Sequence, residues 1–401
     1  MRGVYAVRIL TFNCGSSTLK FELFKTSDEE RSIARGVVDR IGGRGNAELV
    51  SESGERTVRS VVATDHGEAA HQAIRLLDSS DLLGGLYAVG HRVVHGGARF
   101  SDPVLLDARA EYAIEELAEL APLHNGPALA AIRAIREALG PEMPQVATFD
   151  TAFHSRMPRV ARLFALPRRL AEEGVLRFGF HGLSYEYVMG RLRTLDPEAA
   201  TGRVIIAHLG NGASMVAVRG AVGVDTTMGF TPAGGLVMGT RSGDLDPGVL
   251  LYVLEEKGLS SPQLAQLVNK QAGLLGVSET SADMRNLLGR EADDSRAAEA
   301  ISLFCYGAKK FLGALAAALG GLDVLVFTGG IGEHAAPVRW RICEDLEFFG
   351  IQLDPDRNAE HASVISHDGT RVTVRVIPTD ENLMVARHTR RLVAPTTKEG
   401  A

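Results

Sequence analysis

Three short glycine turns, each closing an apolar run, are the first residues in this sequence with the makings of chemistry. The clearest lies in RVIIAHLGNGASMVAVRG, residues 203–220. Residues 203–207 read as a strand, His208, Leu209, Gly210, Asn211 and Gly212 as a tight turn, and 213–218 as the returning strand. Glycines in such a turn let the backbone take positive φ and come close to a ligand. A second turn lies in RILTFNCGSSTLKFEL, residues 8–23. At a constant offset of 195, Arg8 falls on Arg203, Gly15 on Gly210, Ser16 on Asn211 and Phe21 on Val216. The third turn is TGGIGE, residues 328–333, after the apolar run 324–327. Backbone N–H groups and small hydroxyls at three strand ends suit a phosphate chain, because they hold an anion and keep bulky side chains away.

Anions also need cations. Arg92, in YAVGHRVVH at 87–95, and Arg241 can each bind two oxygens of a carboxylate or phosphate in a fork. By type alone, an arginine is more often in a surface ion pair. Arg241 lies with Asp244 and Asp246 in a glycine-rich stretch of eighteen residues, 229–246, too long for a simple connector and suited to an active-site loop. His181 sits among glycine-flanked aromatics in RFGFHG, residues 177–182, where a lone histidine is more often a satisfied structural residue. Asp150 ends the apolar run 146–149. Glu381, taken alone, reads as a carboxylate favoured by the dipole at a helix start.

These residues need elements to hold them. Two-residue alternation makes 87–95 a strand with Arg92 and Val94 on one face and His91 and Val93 on the other. Further strands are expected at 8–12, 19–24, 36–39 and 47–51, with a glycine turn at 42–45. Helices are expected at 68–77, 111–120 and 128–139, with 122–127 as a loop. In the second half the pattern predicts helices at 185–195, 248–256, 261–269 and 281–288. Residues 298–319 follow as a long striped helix, then a helix at 337–348 and a strand at 372–377. A last helix, from about 380 to 392, has acids in its first turn and Arg390 and Arg391 in its last. The repeat at offset 195 points to an α/β chain built by duplication.

Composition narrows the function classes. A chain of 401 residues suggests two or three domains. Its 45% hydrophobic and 23% charged content is ordinary for a globular protein. A net charge of −6 argues against a nucleic-acid partner. Three scattered cysteines, Cys14, Cys305 and Cys343, argue against disulfides or a metal cluster and for a reducing cytoplasm. The N-terminal apolar run stops at Asn13 without a cleavage signature, so no signal peptide is expected. The apolar helix 298–319 carries Lys309 and Lys310 and reads as a core helix, with no membrane partner expected.

Seven motifs carry a resemblance over nearly the whole chain: NCGSSTLK at 13–20, GHRVVHGG at 90–97, TFDTAFH at 148–154, FGFHG at 178–182, HLGNGAS at 208–214, MGTRSGDLDP at 238–247 and FTGGIGE at 327–333. The sequence resembles the acetate kinase family, within the actin, sugar-kinase and Hsp70-type ATPase superfamily. The resemblance implies an α/β fold of duplicated actin-like (ribonuclease H-like) type. It would have two lobes, with the active site in the interlobe cleft. The lobes would be residues 1–150, with helix 381–395 packing back on them, and residues 151–380, which would bind nucleotide and form a dimer. The implied reaction is reversible, Mg2+-dependent transfer of the ATP γ-phosphoryl to acetate, with Mn2+ as an alternative metal. The implied partners are acetate, ATP and ADP, and a second copy in a homodimer.

By the same resemblance, Asp150, His181 and Arg241 are catalytic. His181 donates a hydrogen bond to the transferring phosphoryl. Asp150 carries the family's acid–base assignment, although an ionised carboxylate substrate needs no strong base, which makes metal-water or arginine positioning the expected role. Arg92, Val94, Leu123, Phe180 and Pro232 line the acid pocket, with His124 near it. The nucleotide is held by Lys20, His208, Leu209, Gly210, Asn211, Gly212, Asp283, Met284, Arg285, Gly330, Ile331, Gly332, Glu333 and His334. Asn13 and Glu381 hold the metal. Thr18 stands where the family usually has serine, and His334 where many members have asparagine beside the adenosine site. Propionate or butyrate kinase is the alternative within the family. A non-enzymatic ATP-driven switch would leave Arg92, His181 and Arg241 without a role.

Overall fold

The computed structural model describes residues 7–26, 30–119 and 122–394. The described residues form two compact units, one from those within 1–152 and 380–401 and one from 153–379.

The first unit is built on an eight-stranded sheet. Strands β1 (Val7–Cys14), β2 (Leu19–Thr26), β3 (Glu30–Val38), β4 (Gly43–Ser51) and β5 (Arg56–Ala63) form an antiparallel meander. On the other side of β1, β6 (Leu86–Val93) and β8 (Gln145–Phe149) run parallel to it, and the short β7 (Val104–Leu105) closes the edge. Helices α1 (His66–Asp78), α2 (Ala108–Glu116) and α3 (Pro122–Leu139) belong to this unit. Ala69, Ala73 and Leu77 of α1 and Ile135 of α3 meet Leu10, Phe12, Phe21 and Leu23 of the sheet in one buried cluster. The last helix of the chain, Glu381–Val393, packs on β1 and β6. Gly90 of β6 makes that approach feasible, since a side chain there would strike Thr389 and Val385 of the helix.

The second unit carries a five-stranded sheet in the order β11-β10-β9-β12-β13. Its strands are β9 (Arg203–Leu209), β10 (Ala213–Arg219), β11 (Val222–Thr226), β12 (Val324–Thr328) and β13 (Thr373–Val376). β9, β10 and β11 are antiparallel, while β12 and β13 run parallel to β9. The five-strand block β3-β2-β1-β6-β8 of the first unit has this same order and the same directions. The offset of 195 carries β1 onto β9, so the duplication is a property of topology as well as of sequence. β12 is buried at every position, as expected of a strand covered on both faces. Helix Gly182–Leu195 (α4) covers one side through Tyr185, Val188 and Leu192. Helix Ser295–Leu319 is long and apolar enough to cross a membrane by length and composition. It lies along the sheet instead, burying Ile301, Phe304, Ala308, Leu312 and Leu315.

Several elements depart from expectation. Residues 122–127 are helical: α3 starts at Pro122 and runs through Pro127, whose ring removes one i→i−4 hydrogen bond. Residues 43–45, expected in a turn, begin β4. β6 stops at Val93, so the alternation that set Val94 beside Arg92 does not reach Val94. His208 and Leu209 belong to β9, which shortens the turn, and 329–334 is a helical turn, not a loop. The helix expected at 261–269 changes to π-helix at Leu267, and that expected at 337–348 ends at Cys343. Strands β5 and β11 and the short helices Gly273–Ser278 and Pro355–Ala359 were not anticipated. The end of the helix expected at 111–120 lies partly outside the described residues.

Candidate active site

In the first unit, Arg92 is the centre of a cluster drawn from four elements. Parallel pairing of β1 with β6 sets Asn13 against Arg92, and pairing of β6 with β8 sets Arg92 against Thr148, two residues before Asp150. Arg92 Nε donates to Asp150 Oδ1 at 2.8 Å and Nη2 to Oδ2 at 2.5 Å, a two-point fork. Nη1 donates to Asn13 Oδ1 at 3.0 Å and lies 3.5 Å from Glu381 Oε2, on the first residue of the C-terminal helix. Asp150 is 1% exposed. Burial opposes the charge on Arg92, but Asp150 and Glu381 outweigh it and hold the guanidinium charged. Neighbouring Cys14 is pushed up to about 12 by burial, with Arg92 pulling the other way, so it is a thiol and not a nucleophile. His91 stacks on Phe12, and its Nε2 pairs with Gln145 Oε1 at 2.7 Å. Burial pulls its pKa down to about 4, so it is neutral.

In the second unit, His181 is the N-cap of α4 in the left-handed conformation, φ 58° and ψ 25°. Such a backbone is strained for a residue with a side chain, and the surroundings hold it there. His181 Nδ1 is hydrogen-bonded to Ser214 Oγ at 2.8 Å, and Tyr185 Oη to the same oxygen at 2.5 Å. The imidazole stacks on His208 with ring centroids 4.2 Å apart, and His208 Nδ1 pairs with Ser184 Oγ at 2.8 Å. A Cβ on Gly212 would come 2.5 Å from Arg241 Nη2 and 3.3 Å from His181 Nε2. The expected histidine and arginine therefore meet at the glycine turn, where a side chain on Gly212 would displace the tip of Arg241. Arg241 Nη1 also donates to the Pro232 carbonyl at 2.6 Å.

Beside this turn lies a cavity of about 470 Å3. Gly210, Asn211, Asp283, Met284, Arg285, Gly330, Ile331 and His334, all expected at nucleotide, line it, together with Ala282, Leu288 and Ala335, which were not. Asp283 caps the helix Met284–Leu288 by accepting from Asn286 N–H at 2.9 Å. Glu333 closes the turn after β12 from within: its Oε1 accepts from Gly329 N–H at 2.8 Å and from Thr379 N–H at 3.2 Å. Gly332 is buried beneath that turn, and Leu209 is buried in β9. His334 is 65% exposed, at the cavity edge.

The remaining expected residues divide between the units. Lys20 stands opposite Asn13 on β2 with an exposed side chain in the first unit. Val94, also in the first unit, is buried just past β6. Leu123 and His124 lie in the first turn of α3, and their side chains fall outside the described residues. Phe180 and Pro232 are buried in the second unit. Sequence reasoning missed Ser214 and Tyr185 as the groups that orient His181. Ser214 stands in the quoted HLGNGAS motif, whereas Tyr185 carried no signal beyond its place on an apolar helix face. Among the described residues no group of three or more His, Cys, Asp or Glu side chains is placed to hold a metal. Asn13 and Glu381 do bring oxygen atoms to one nitrogen of Arg92, a donor set that suits a hard cation keeping most of its water.

Residues 8–387 match the Acetokinase family. The chain is 48% identical over 392 residues to an acetate kinase of Rhodopseudomonas palustris, covering 96% of this chain and 98% of that one. It is 41% identical over 403 residues to an acetate kinase of Clostridium beijerinckii, covering 96% and 100%. The crystal structure of Porphyromonas gingivalis acetate kinase matches with a TM-score of 0.88 at 39% identity, over 96% of this chain and 100% of that one. A propionate kinase from Francisella tularensis matches with a TM-score of 0.91 at 36% identity, over 96% and 99%.

The Arg92 fork makes a stability prediction. Removing one member of a buried ion pair costs about 3–5 kcal/mol. Because the Arg92 side chain keeps 17% exposure, Asp150→Ala should lose about 3 kcal/mol, at the lower end. Asp150→Asn, which keeps one acceptor, should lose less. Urea unfolding of both variants checks this, and equal stability of Asp150→Ala and wild type would show that the pair does not hold the unit together.

Proposed function

The chain belongs to the acetokinase family, and on that premise we propose that it transfers the γ-phosphoryl of ATP to acetate, giving acetyl phosphate and ADP, in a reversible reaction. The observation that carries this reading is the meeting of His181 and Arg241 at Gly212, beside the cavity of the second unit. Acetate is ionised at neutral pH, as carboxyls with pKa near ~4 are, and needs no strong base. It needs its repulsion from the phosphoryl group offset, which is work for Arg92 and Arg241. Arg92 is held charged and in one orientation by Asp150, so Asp150 acts on the arginine and not as a proton carrier.

His181 would hold charge that develops on the transferring phosphoryl. If Tyr185 O–H donates to Ser214 and Ser214 O–H to His181 Nδ1, the remaining proton sits on Nε2, the atom near Gly212. ATP fits the cavity next to the glycine turn, with His334 at its edge as a determinant of nucleotide preference. Lys20 is assigned to the phosphates. Mg2+, when bound, would neutralise phosphate charge. Asn13 and Glu381 would hold it, and Arg92 keeps their oxygens together.

The match to the propionate kinase favours a second reading, in which a longer acid is the better substrate. Hydroxamate assays over formate, acetate, propionate and butyrate decide between the two. Acetate should give the highest kcat/KM, propionate less and butyrate least; a propionate optimum would make the second reading correct. In the same assay Arg241→Ala and His181→Ala should each lower kcat by about 10² or more. Glu381→Ala and Asn13→Ala should raise the Mg2+ concentration for half activity. A shift confined to the acetate KM would contradict the metal assignment.

A cytoplasmic site of action fits the three cysteines, all buried and unpaired. The helix Pro247–Glu255 buries none of its residues, leaving Val249, Leu251 and Tyr252 about half exposed at 47%, 54% and 51%. An apolar helix left uncovered by its own chain calls for a partner surface, and the partner proposed is a second copy. Light scattering should then give twice the 42.9 kDa chain mass, and a monomeric mass would contradict it.

A further inference from the structure

The end of β6 is held in an unusual way. The strand stops at Val93, yet the next backbone groups are not left to water. Asn125, thirty residues on in α3, accepts from His95 N–H through Oδ1 at 3.1 Å and donates to the His95 carbonyl through Nδ2 at 2.9 Å. One side-chain amide thus stands in for the peptide group of a neighbouring strand. Asn125 and His95 are both completely buried. The following residue is fixed too: Gly96 N–H donates to Thr151 Oγ1 at 3.0 Å, directly after Asp150. Gly97 N–H donates to His95 Nδ1 at 2.9 Å. The glycines leave no slack, because a Cβ on Gly96 would come 3.0 Å from the Phe149 ring and one on Gly97 2.6 Å from Leu117.

This clamp joins the end of β6 to the start of α3. His95 follows Val94, and Asn125 lies two residues after Leu123 in the first turn of α3. We propose that Asn125 is a specificity-positioning residue: by holding both backbone groups of His95, it fixes the end of β6, and so sets where Val94 stands against the alkyl end of the carboxylic acid. The proposal rests on the reading that Val94 lines the acid pocket. Asparagine suits this role because it offers one acceptor and one donor at fixed separation. Alanine would orphan both His95 groups, and aspartate would remove the donor and bring a charge into a dry site.

The test measures kcat and KM for acetate, propionate and ATP in wild type, Asn125→Ala, Asn125→Asp and Val94→Ala. In both Asn125 variants the acetate KM should rise and the acetate-over-propionate ratio of kcat/KM should fall by roughly threefold or more, with the ATP KM within about twofold. A role in folding alone would lower the active fraction, hence apparent kcat, and leave both KM values and the ratio unmoved. That result, with Val94→Ala changing the ratio, overturns the clamp proposal and keeps the pocket. An unchanged ratio in Val94→Ala overturns the pocket reading, and the proposal with it. Should the Asn125 variants not fold, Thr151→Val, which releases only Gly96 N–H, carries the same expectation, and an unmoved ratio there overturns the proposal equally.

Discussion

The ion pair between Arg92 and Asp150 is the constraint on which the first unit's chemistry depends. A guanidinium so placed is expensive to bury unless its partners are fixed. Here they are fixed by the sheet: β1 supplies Asn13, β6 Arg92 itself, and the end of β8 Asp150. The C-terminal helix returns to supply Glu381, and Gly90 permits its approach. The parallel register of three strands thus becomes one charged group held in one orientation. With its Nε–Nη2 edge taken by Asp150, the guanidinium is a positive charge fixed in advance, and fixed charge is where preorganised electrostatics contributes most.

The second unit turns the same five-strand plan to a different use. Its hairpin β9–β10 turns at Gly210 and Gly212, and the tight space at Gly212 lets His181 and Arg241 converge. His181 occupies a left-handed backbone position at the head of a helix, with its ring held by Ser214 and by stacking on His208. The strain in that position and the hydrogen bonds that hold it both point to a residue whose orientation matters. One duplicated sheet therefore carries the Arg92–Asp150 fork, and the other carries the glycine turn and the cavity.

Much of this was legible in the sequence because the signals were local. The glycine turns, the apolar runs of β9 and β12 and the striped helix ending at Leu319 follow directly from periodicity. The repeat gave the duplication, and the resemblance named residues that the structure brings together around Arg92 and around Gly212. What was not legible was long-range. Nothing near Val94 in the chain signals that β6 stops one residue earlier, or that Asn125 takes over the hydrogen bonds beyond it. Residues 122–127 read as a loop because proline is read as a breaker, yet α3 starts at Pro122 and runs through Pro127. Strands β5 and β11 lie at sheet edges, where alternation is weak. Tyr185 and Ser214 are ordinary core residues by type, and only their meeting with His181 shows what they do.

The central claim is that phosphoryl transfer needs the acid held at Arg92. Phosphorus-31 NMR of the purified protein with ATP and Mg2+, recorded with and without acetate, tests it most directly. The account predicts an acyl phosphate resonance and ADP growing together only when acetate is present, with little free phosphate at early times. Steady release of inorganic phosphate at the same rate with or without acetate would contradict it, and would mark the chain as an ATPase whose Arg92 fork serves another purpose.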